Sequence, residues 1–185
     1  MNLYIRFFYI IIKNYIFRRR ISANDESILN MRVLPNDLDL NMHMNNGRYL
    51  TILDIARTEF LIRSGMDKVF FKNKLGGVTG GVHITFFKEL NLFDKYQVRT
   101  KALHWDEMWF YIEHEFLKDN IVTAHAIVKV TFTKKRKRVS PQIVINELPD
   151  NILKPVAPKY LDELIHGESD MIESVKKYNK KIKGS

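Results

Sequence analysis

The feature that most constrains the fold is one long amphipathic helix followed by several strand-like segments. Apolar residues recur with the helical period from Tyr49 to Phe60, at positions i, i+3, i+4, i+7 and i+11. Asn45 or Asn46 is a natural N-cap. Gly65 stands where such a helix is expected to end. The spacing therefore predicts a single helix of about five turns, which is long for a domain of this size.

The segments around this helix have the pattern of an antiparallel sheet. A short strand is predicted at 27–33, and the glycine pairs 76–77 and 80–81 precede a strand over 82–87. Residues 96–105 alternate in polarity, and segments 109–117 and 121–132 are rich in β-branched and aromatic residues. Asp119-Asn120 between the last two is a two-residue hairpin signal. A long helix before a meander of strands predicts an α+β fold with the helix packed on one face of the sheet.

The two ends of the chain differ from its middle. We predict an N-terminal amphipathic helix over 1–22, a central domain over 23–146, and a helical, basic C-terminal extension over 147–185. Within the extension, residues 159–166 and 170–183 are predicted as two helices. Residues 134–141 are predicted as a loop.

The charge distribution argues against nucleic-acid binding. The net charge is +9, but three stretches without an acidic residue, in 1–20, 134–138 and 176–183, together carry fifteen positive charges. Subtracting these fifteen leaves −6 for the rest of the chain, whereas a nucleic-acid-binding domain usually spreads its basic charge over a docking face. The chain has no cysteine, which excludes disulfides, a thiolate nucleophile and sulfur-ligated zinc. We predict a cytoplasmic protein.

The N-terminal segment has two open interpretations. Its longest apolar run, Phe7 to Ile12, is too short to span a bilayer, and the arginines at 18–20 stand where a signal peptide needs small residues. Asn2, Arg6, Tyr9 and Lys13 form a narrow polar stripe on one helical face. The wide apolar face either packs on the protein or on a second subunit, or residues 1–20 lie peripherally on the anionic inner membrane surface.

The densest polar cluster, Asp37 to Asn46, directly precedes the long helix. The first N–H groups and the dipole of a helix attract an oxyanion, so a carboxylate and a histidine there place a base beside a site that stabilises negative charge. The alternative is a helix-capping loop in which Asp37 and Asn46 satisfy backbone donors. The remaining scattered histidines are predicted to be structural or exposed: His104, His114, His125 and His166.

Residues 37–49 resemble the D-x-D-x-x-x-H-x-N-N-x-x-Y signature of hot-dog-fold acyl-CoA thioesterases of the 4-hydroxybenzoyl-CoA thioesterase type. Residues 84–90 are similar to the central strand of that family, and 105–111 to a hairpin of its thioesterase-like subgroup. The resemblance covers about residues 27–133. It implies a hot-dog fold, an antiparallel sheet wrapped around one long central helix. It also implies self-association as a dimer or tetramer, with acyl-CoA bound between subunits.

The resemblance further implies a set of site residues. Asp39 takes the position of the catalytic carboxylate, which activates water against the thioester carbonyl or attacks it directly. Backbone N–H groups near Asn45 and Asn46 hold the carbonyl oxygen, while the side chains of His43, Asn45 and Asn46 build the loop and the helix start. Substrate contacts are assigned to Asn46, Gly47 and Tyr49. The implied chemistry needs no metal and no cofactor.

Two other functions stay open. Asp39 to His43 is also similar to the D-x-N-P-x-H motif of hot-dog enoyl-CoA hydratases, but the proline is absent and the histidine comes one residue early. A non-catalytic hot-dog protein that binds acyl chains or partners is the other alternative, because a fold does not fix a function. The presence of Asp39 favours catalysis.

Overall fold

The computed structural model describes residues 3–17 and 19–183. Asn2 of the predicted polar stripe and Arg18 of the arginine cluster lie outside the described residues. The chain divides into two compact units, residues 1–154 and 155–185, and each is described by itself. The predicted domain boundaries after residues 22 and 146 stay predictions.

The first unit contains four α-helices and six strands within its described residues. Its helices are α1 (Leu3–Ile16), α2 (Asn46–Ser64), α3 (Met66–Asn73) and α4 (Pro141–Asn146), with a short 3-10 turn at Pro35–Asp37. Its strands are β1 (Ser27–Arg32), β2 (Gly76–Phe86), β3 (Lys95–Trp105), β4 (Phe110–Lys118), β5 (Ile121–Lys134) and β6 (Lys137–Val139). The second unit contains α5 (Lys159–Lys183).

The strands form one antiparallel sheet in the order β1-β3-β4-β5-β2, and β6 pairs with the end of β5. The sheet curls around α2, whose apolar stripe is buried in the core: Tyr49, Ile52, Leu53, Ala56 and Phe60. On β3 the predicted alternation holds, since Tyr96, Val98 and Thr100 are buried. The predicted α+β fold, with one long helix packed against the sheet, is confirmed.

One or two residues determine each end of α2 and the turn between β4 and β5. The Asn45 side chain accepts a hydrogen bond from the Gly47 N–H at 2.8 Å, so Asn45 is the N-cap. Gly65 ends the helix in the left-handed conformation, with φ of 83°, which glycine adopts without strain. Asp119 and Asn120 both have positive φ, as a tight hairpin requires. These predictions are confirmed.

The predicted start of β2 at Val82 is wrong, because the strand begins at Gly76 and pairs with β5 along its whole length. The glycines belong to the strand. Register shifts between Thr79 and Gly81, and a Cβ added at Gly80 would lie 2.2 Å from the Trp109 ring. Gly80 therefore allows Trp109 to lie against the strand, a role that a turn-forming glycine does not have.

Three further segments differ from the prediction. The predicted loop 134–141 contains regular structure. The basic run 134–138 turns from β5 into β6, with positive φ at Lys135 and Arg136, and Ser140 then caps the start of α4. Helix α3 was not predicted. The C-terminal residues form the single helix α5 instead of two, because Gly167 lowers helix propensity without ending the helix.

Helix α1 (Leu3–Ile16) lies inside the segment 1–22 for which an amphipathic helix was predicted, but its orientation is unexpected. Arg6, a member of the polar stripe, is buried together with Ile10. Most large apolar residues of this segment point to solvent: Ile5, Phe8, Tyr9, Ile12, Ile16 and Phe17. These exposed side chains are therefore not packed on the body of this protomer, whereas Ile10 belongs to the core and Phe7 packs against it. Within residues 3–17 and 19–183, no helix combines the length and the apolar character that crossing a bilayer demands.

We predict that Gly80→Ala lowers the free energy of unfolding by about 1–3 kcal/mol, because the new methyl group overlaps the Trp109 ring. Gly77→Ala in the same strand is the matched control. Its Cβ would meet Val130 at an ordinary 3.6 Å, so its effect should stay within about 0.5 kcal/mol. Urea denaturation of both variants checks this, and equal stabilities would show that Gly80 is not needed for packing.

Candidate active site

The loop before α2 is a small hairpin that brings Asp39 and His43 together. Leu38 and Met44 form an antiparallel bridge. Inside it the Asp39 N–H donates to the His43 carbonyl oxygen at 3.0 Å, and the Met42 N–H donates to the Asp39 carbonyl oxygen at 3.1 Å. Met42 turns the chain with a φ of 65°. As a result, His43 Nδ1 lies 3.5 Å from Asp39 Oδ2.

The Asp39 carboxylate is held but remains accessible. Its Oδ1 accepts a hydrogen bond from the Asn41 N–H at 2.9 Å, which fixes the side-chain orientation. Its side chain is 23% exposed and that of His43 is 26% exposed. A carboxylate in this state can accept a proton from a group that enters from solvent.

Asp37, the other aspartate of the loop, has the opposite environment. Its side chain is fully buried, and its Oδ2 accepts from the Leu34 N–H at 2.9 Å and from Arg6 Nη2 at 2.8 Å. Arg48 Nε lies 3.2 Å from Oδ1. Asp37 therefore satisfies a backbone donor, as the capping alternative predicted, and is enclosed by two arginines that keep it from an incoming ligand.

Most backbone N–H groups at the start of α2 already have acceptors. Asn45 donates to the Asp37 carbonyl oxygen, Gly47 donates to the Asn45 side chain, and Arg48 donates to the Asn45 carbonyl oxygen, each at 2.8 Å. The Asn46 N–H has no acceptor among residues 3–17 and 19–183. Asn46 is exposed, so its N–H is a donor available at the positive end of a 19-residue helix dipole.

Tyr49 lies one turn deeper than the other predicted site residues. It is buried, and its ring packs edge-on against the rings of Phe86 and Phe116, with distances between ring centroids of 4.9 and 4.8 Å. Burial, together with the nearby Glu89 carboxylate, raises the pKa of Tyr49 to about 12, so its hydroxyl stays neutral. The structure thus pairs Asp39 with His43 in the hairpin, places Asn45, Asn46 and Gly47 at the start of α2, and buries Tyr49 in the core.

Sequence reasoning missed Arg6 and Arg48, the two partners of Asp37. A lone arginine inside an apolar helix was the available signal for Arg6. The helical period places Arg6 in a narrow polar stripe, and it does not reveal a partner that lies 31 residues away.

The first unit has a cavity of about 820 Å³ beside α1 and β1 and another of about 420 Å³ beside α2 and β2. Neither has Asp39 or the start of α2 in its wall. Across residues 3–17 and 19–183, no three acidic or histidine side chains are grouped as a metal site would require.

Comparisons with known proteins point to one family. The family model described as the thioesterase-like superfamily matches residues 33–157. A Xenopus laevis protein named THEM6 is 34% identical over 142 residues, which is 72% of this chain, and the chain spans 63% of that protein's length. A Saccharomyces cerevisiae protein described as a probable thioesterase is 25% identical over 162 residues, 75% of this chain and 68% of that protein.

Solved structures establish the fold. The Staphylococcus aureus protein SAV2348, solved in complex with CoA, superposes with a TM-score of 0.61 at 18% identity, covering 75% of this chain and 92% of that one. The expected hot-dog fold is confirmed, with α2 as the helix that the sheet wraps.

Proposed function

Because this chain belongs to the thioesterase-like superfamily, we propose that it hydrolyses acyl-CoA thioesters to a free acid and CoA. The observation that carries the proposal is the contrast within the loop. Asp39 is accessible in the hairpin that leads to the open Asn46 N–H, whereas Asp37 is buried between arginines. The S. aureus protein SAV2348, which has a similar fold, was solved in complex with CoA, and this supports CoA thioesters as the ligand class.

The reaction needs one carboxylate and one donor. Asp39 accepts a proton from water while the water oxygen bonds to the thioester carbonyl carbon, and the C–S bond then breaks. The leaving thiolate takes the proton and departs as CoA. Alternatively, Asp39 attacks the carbonyl carbon, releases CoA, and water hydrolyses the resulting anhydride. Both routes use the same carboxylate, and His43, 3.5 Å away, orients it in each.

Charge that develops on the carbonyl oxygen needs a preorganised donor. The Asn46 N–H is the candidate, because its neighbours Asn45, Gly47 and Arg48 donate to acceptors within the protein. One such donor contributes about 2.7–4 kcal/mol to transition-state stabilisation in other hydrolases. The dipole of α2 acts in the same direction.

We predict that Asp39→Asn lowers kcat for thiol release by at least about 100-fold, with KM within about twofold, because the proton acceptor is lost and binding contacts remain. The matched control is Asp119→Asn, which changes an exposed carboxylate at a left-handed turn position that asparagine tolerates. Its rate should equal that of the wild type. The assay is thiol release from acyl-CoAs of several chain lengths.

Each other outcome of this assay excludes a part of the proposal. Equal rates for Asp39→Asn and wild type would remove Asp39 as the base or nucleophile. Hydration of crotonyl-CoA without thiol release would identify a hydratase instead. No turnover of any acyl-CoA, with retained binding, would identify a non-catalytic acyl-binding protein.

We further propose that the active site is completed by a second copy of the chain. Strand β2 is at the edge of the sheet, pairs only with β5 among the described strands, and exposes Val78, Val82 and Phe86 along its eleven residues. A long, apolar, unpaired edge is a template for strand pairing. Asp39 lines neither of the two cavities described above, and a partner docked on β2 supplies a further wall for the site.

We predict that the wild-type protein sediments as a dimer or tetramer and that Val78→Lys/Val82→Lys sediments as a monomer with at least about tenfold lower activity. Charged residues on the edge oppose pairing. Ile143→Lys, which places the same charge on exposed α4, should keep the wild-type assembly and rate. A fully active wild-type monomer would contradict the proposed completion of the site.

We also propose that the outward face of α1 lies on an anionic membrane surface. Its exposed apolar side chains, among them Phe8 and Ile12, are followed by the exposed cations Lys13, Arg19 and Arg20. Apolar area supplies affinity for the headgroup boundary, and basic residues next to it are attracted by anionic lipid at about 1 kcal/mol each.

We predict that the protein binds vesicles containing phosphatidylserine. Phe8→Ser/Ile12→Ser should lower the partition coefficient by at least about tenfold, because the membrane then buries two fewer apolar side chains. Phe71→Ser, at an exposed phenylalanine on α3, is the control and should bind as the wild type does. Equal binding by wild type and double variant would exclude lipid contact through α1. If the double variant instead loses self-association and keeps its lipid binding, lipid contact through α1 is also excluded, and this face binds a second copy of the chain.

A further inference from the structure

We propose that Arg6 is a positioning residue for Asp39, so that the N-terminal helix α1 helps to hold the loop that carries Asp39. The inference rests on the proposed role of Asp39. Arg6 belongs to α1, well before the loop in sequence, and is only 5% exposed. A guanidinium buried to this extent is stable only when paired, and the partner that Arg6 pairs with is Asp37.

The contacts of Asp37 extend from α1 to the entrance of α2. Its Oδ2 accepts from Arg6 and from the Leu34 N–H, which closes the 3-10 turn before the loop. Its carbonyl oxygen accepts from the Asn45 N–H at 2.8 Å, which fixes the first turn of α2. Asp37 thereby joins both ends of the hairpin that carries Asp39. Arg6 supplies one of the two positive charges that allow this carboxylate to stay buried.

Arg48 cannot replace Arg6. It approaches the opposite oxygen, Oδ1, its side chain is 24% exposed, and its Nη2 is engaged with the Asn36 carbonyl oxygen at 2.7 Å. Without Arg6, Oδ2 keeps the Leu34 N–H as its one donor among residues 3–17 and 19–183, and half of the buried carboxylate loses its charged partner. Such a carboxylate draws water inward or turns outward, and either movement displaces the loop.

A second contact allows the role of Arg6 to be separated from attachment of the helix. The Tyr15 hydroxyl, near the other end of α1, donates to Asp67 Oδ2 at 3.2 Å. Helix α1 therefore keeps a polar anchor on α3 when Arg6 is changed. The expected consequence of an Arg6 substitution is a local loosening of residues 37–45, with α1 still in place.

The kinetic test compares Arg6→Met, Arg6→Lys and a matched control. Arg6→Met should lower kcat by about 10- to 100-fold with KM within about twofold, since a misplacement of about 1 Å costs that much. Arg6→Lys keeps the charge and should recover part of the loss. Arg63→Met breaks the ion pair with Glu59 in the last turn of α2, about 25 Å from the loop along the helix, and should leave kcat unchanged.

Hydrogen exchange tests the same inference without relying on turnover. In Arg6→Met the amides of Asp39, Met42 and Asn45 should exchange at least about tenfold faster, while the β3–β4 hairpin keeps its protection. If Arg6→Met does not fold, Arg6→Lys should show a smaller change confined to the same amides.

Unchanged exchange in the loop, or faster exchange throughout the protein, would overturn the positioning role. These outcomes differ from a failure of the proposed function. Full activity in Asp39→Asn, or an inactive wild type, would remove the catalytic assignment, and the exchange result would still decide whether Arg6 holds the loop.

Discussion

A buried carboxylate needs compensating charge, and meeting that need at Asp37 organises the region around the start of α2. Two arginines from different parts of the sequence provide the charge, one from α1 and one from the first turn of α2. The same residue uses its carbonyl oxygen to hold Asn45, the helix N-cap. The N-terminal helix, the loop and the central helix therefore meet at a single side chain.

Two aspartates separated by one residue thus lie in different environments. Asp37 is enclosed and structural, whereas Asp39 sits on the turn beyond it, near His43 and open to solvent. The hairpin bonds between Asp39, Met42 and His43 keep the turn narrow, and the chain then enters the start of α2, where Asn46 has an open N–H. The two side chains are identical and differ here in burial and in partners. This difference supports Asp39 as the proposed catalytic carboxylate.

Local signals predicted much of the fold. The extent of α2 followed from its period, its cap and Gly65, and the β4–β5 turn followed from Asp119-Asn120. The errors arose where tertiary contacts decide, as at Gly80, whose absent side chain makes room for Trp109. Asp39, His43, Asn45 and Asn46 are neighbours in sequence, so their position in the loop and at the helix start could be expected. The burial of Arg6 could not, because helical periodicity does not reveal a partner 31 residues away.

The fold places this loop at the entrance of the central helix, and the reaction proposed for it is thioester hydrolysis, so the decisive question is where a thioester binds. The most direct measurement is a crystal structure with an acyl-CoA analogue in which a methylene group replaces the thioester sulfur. The account predicts the carbonyl oxygen about 3 Å from the Asn46 nitrogen, with the Asp39 carboxylate facing the carbonyl carbon. A carbonyl bound in either cavity of the protomer, remote from Asp39, would contradict it.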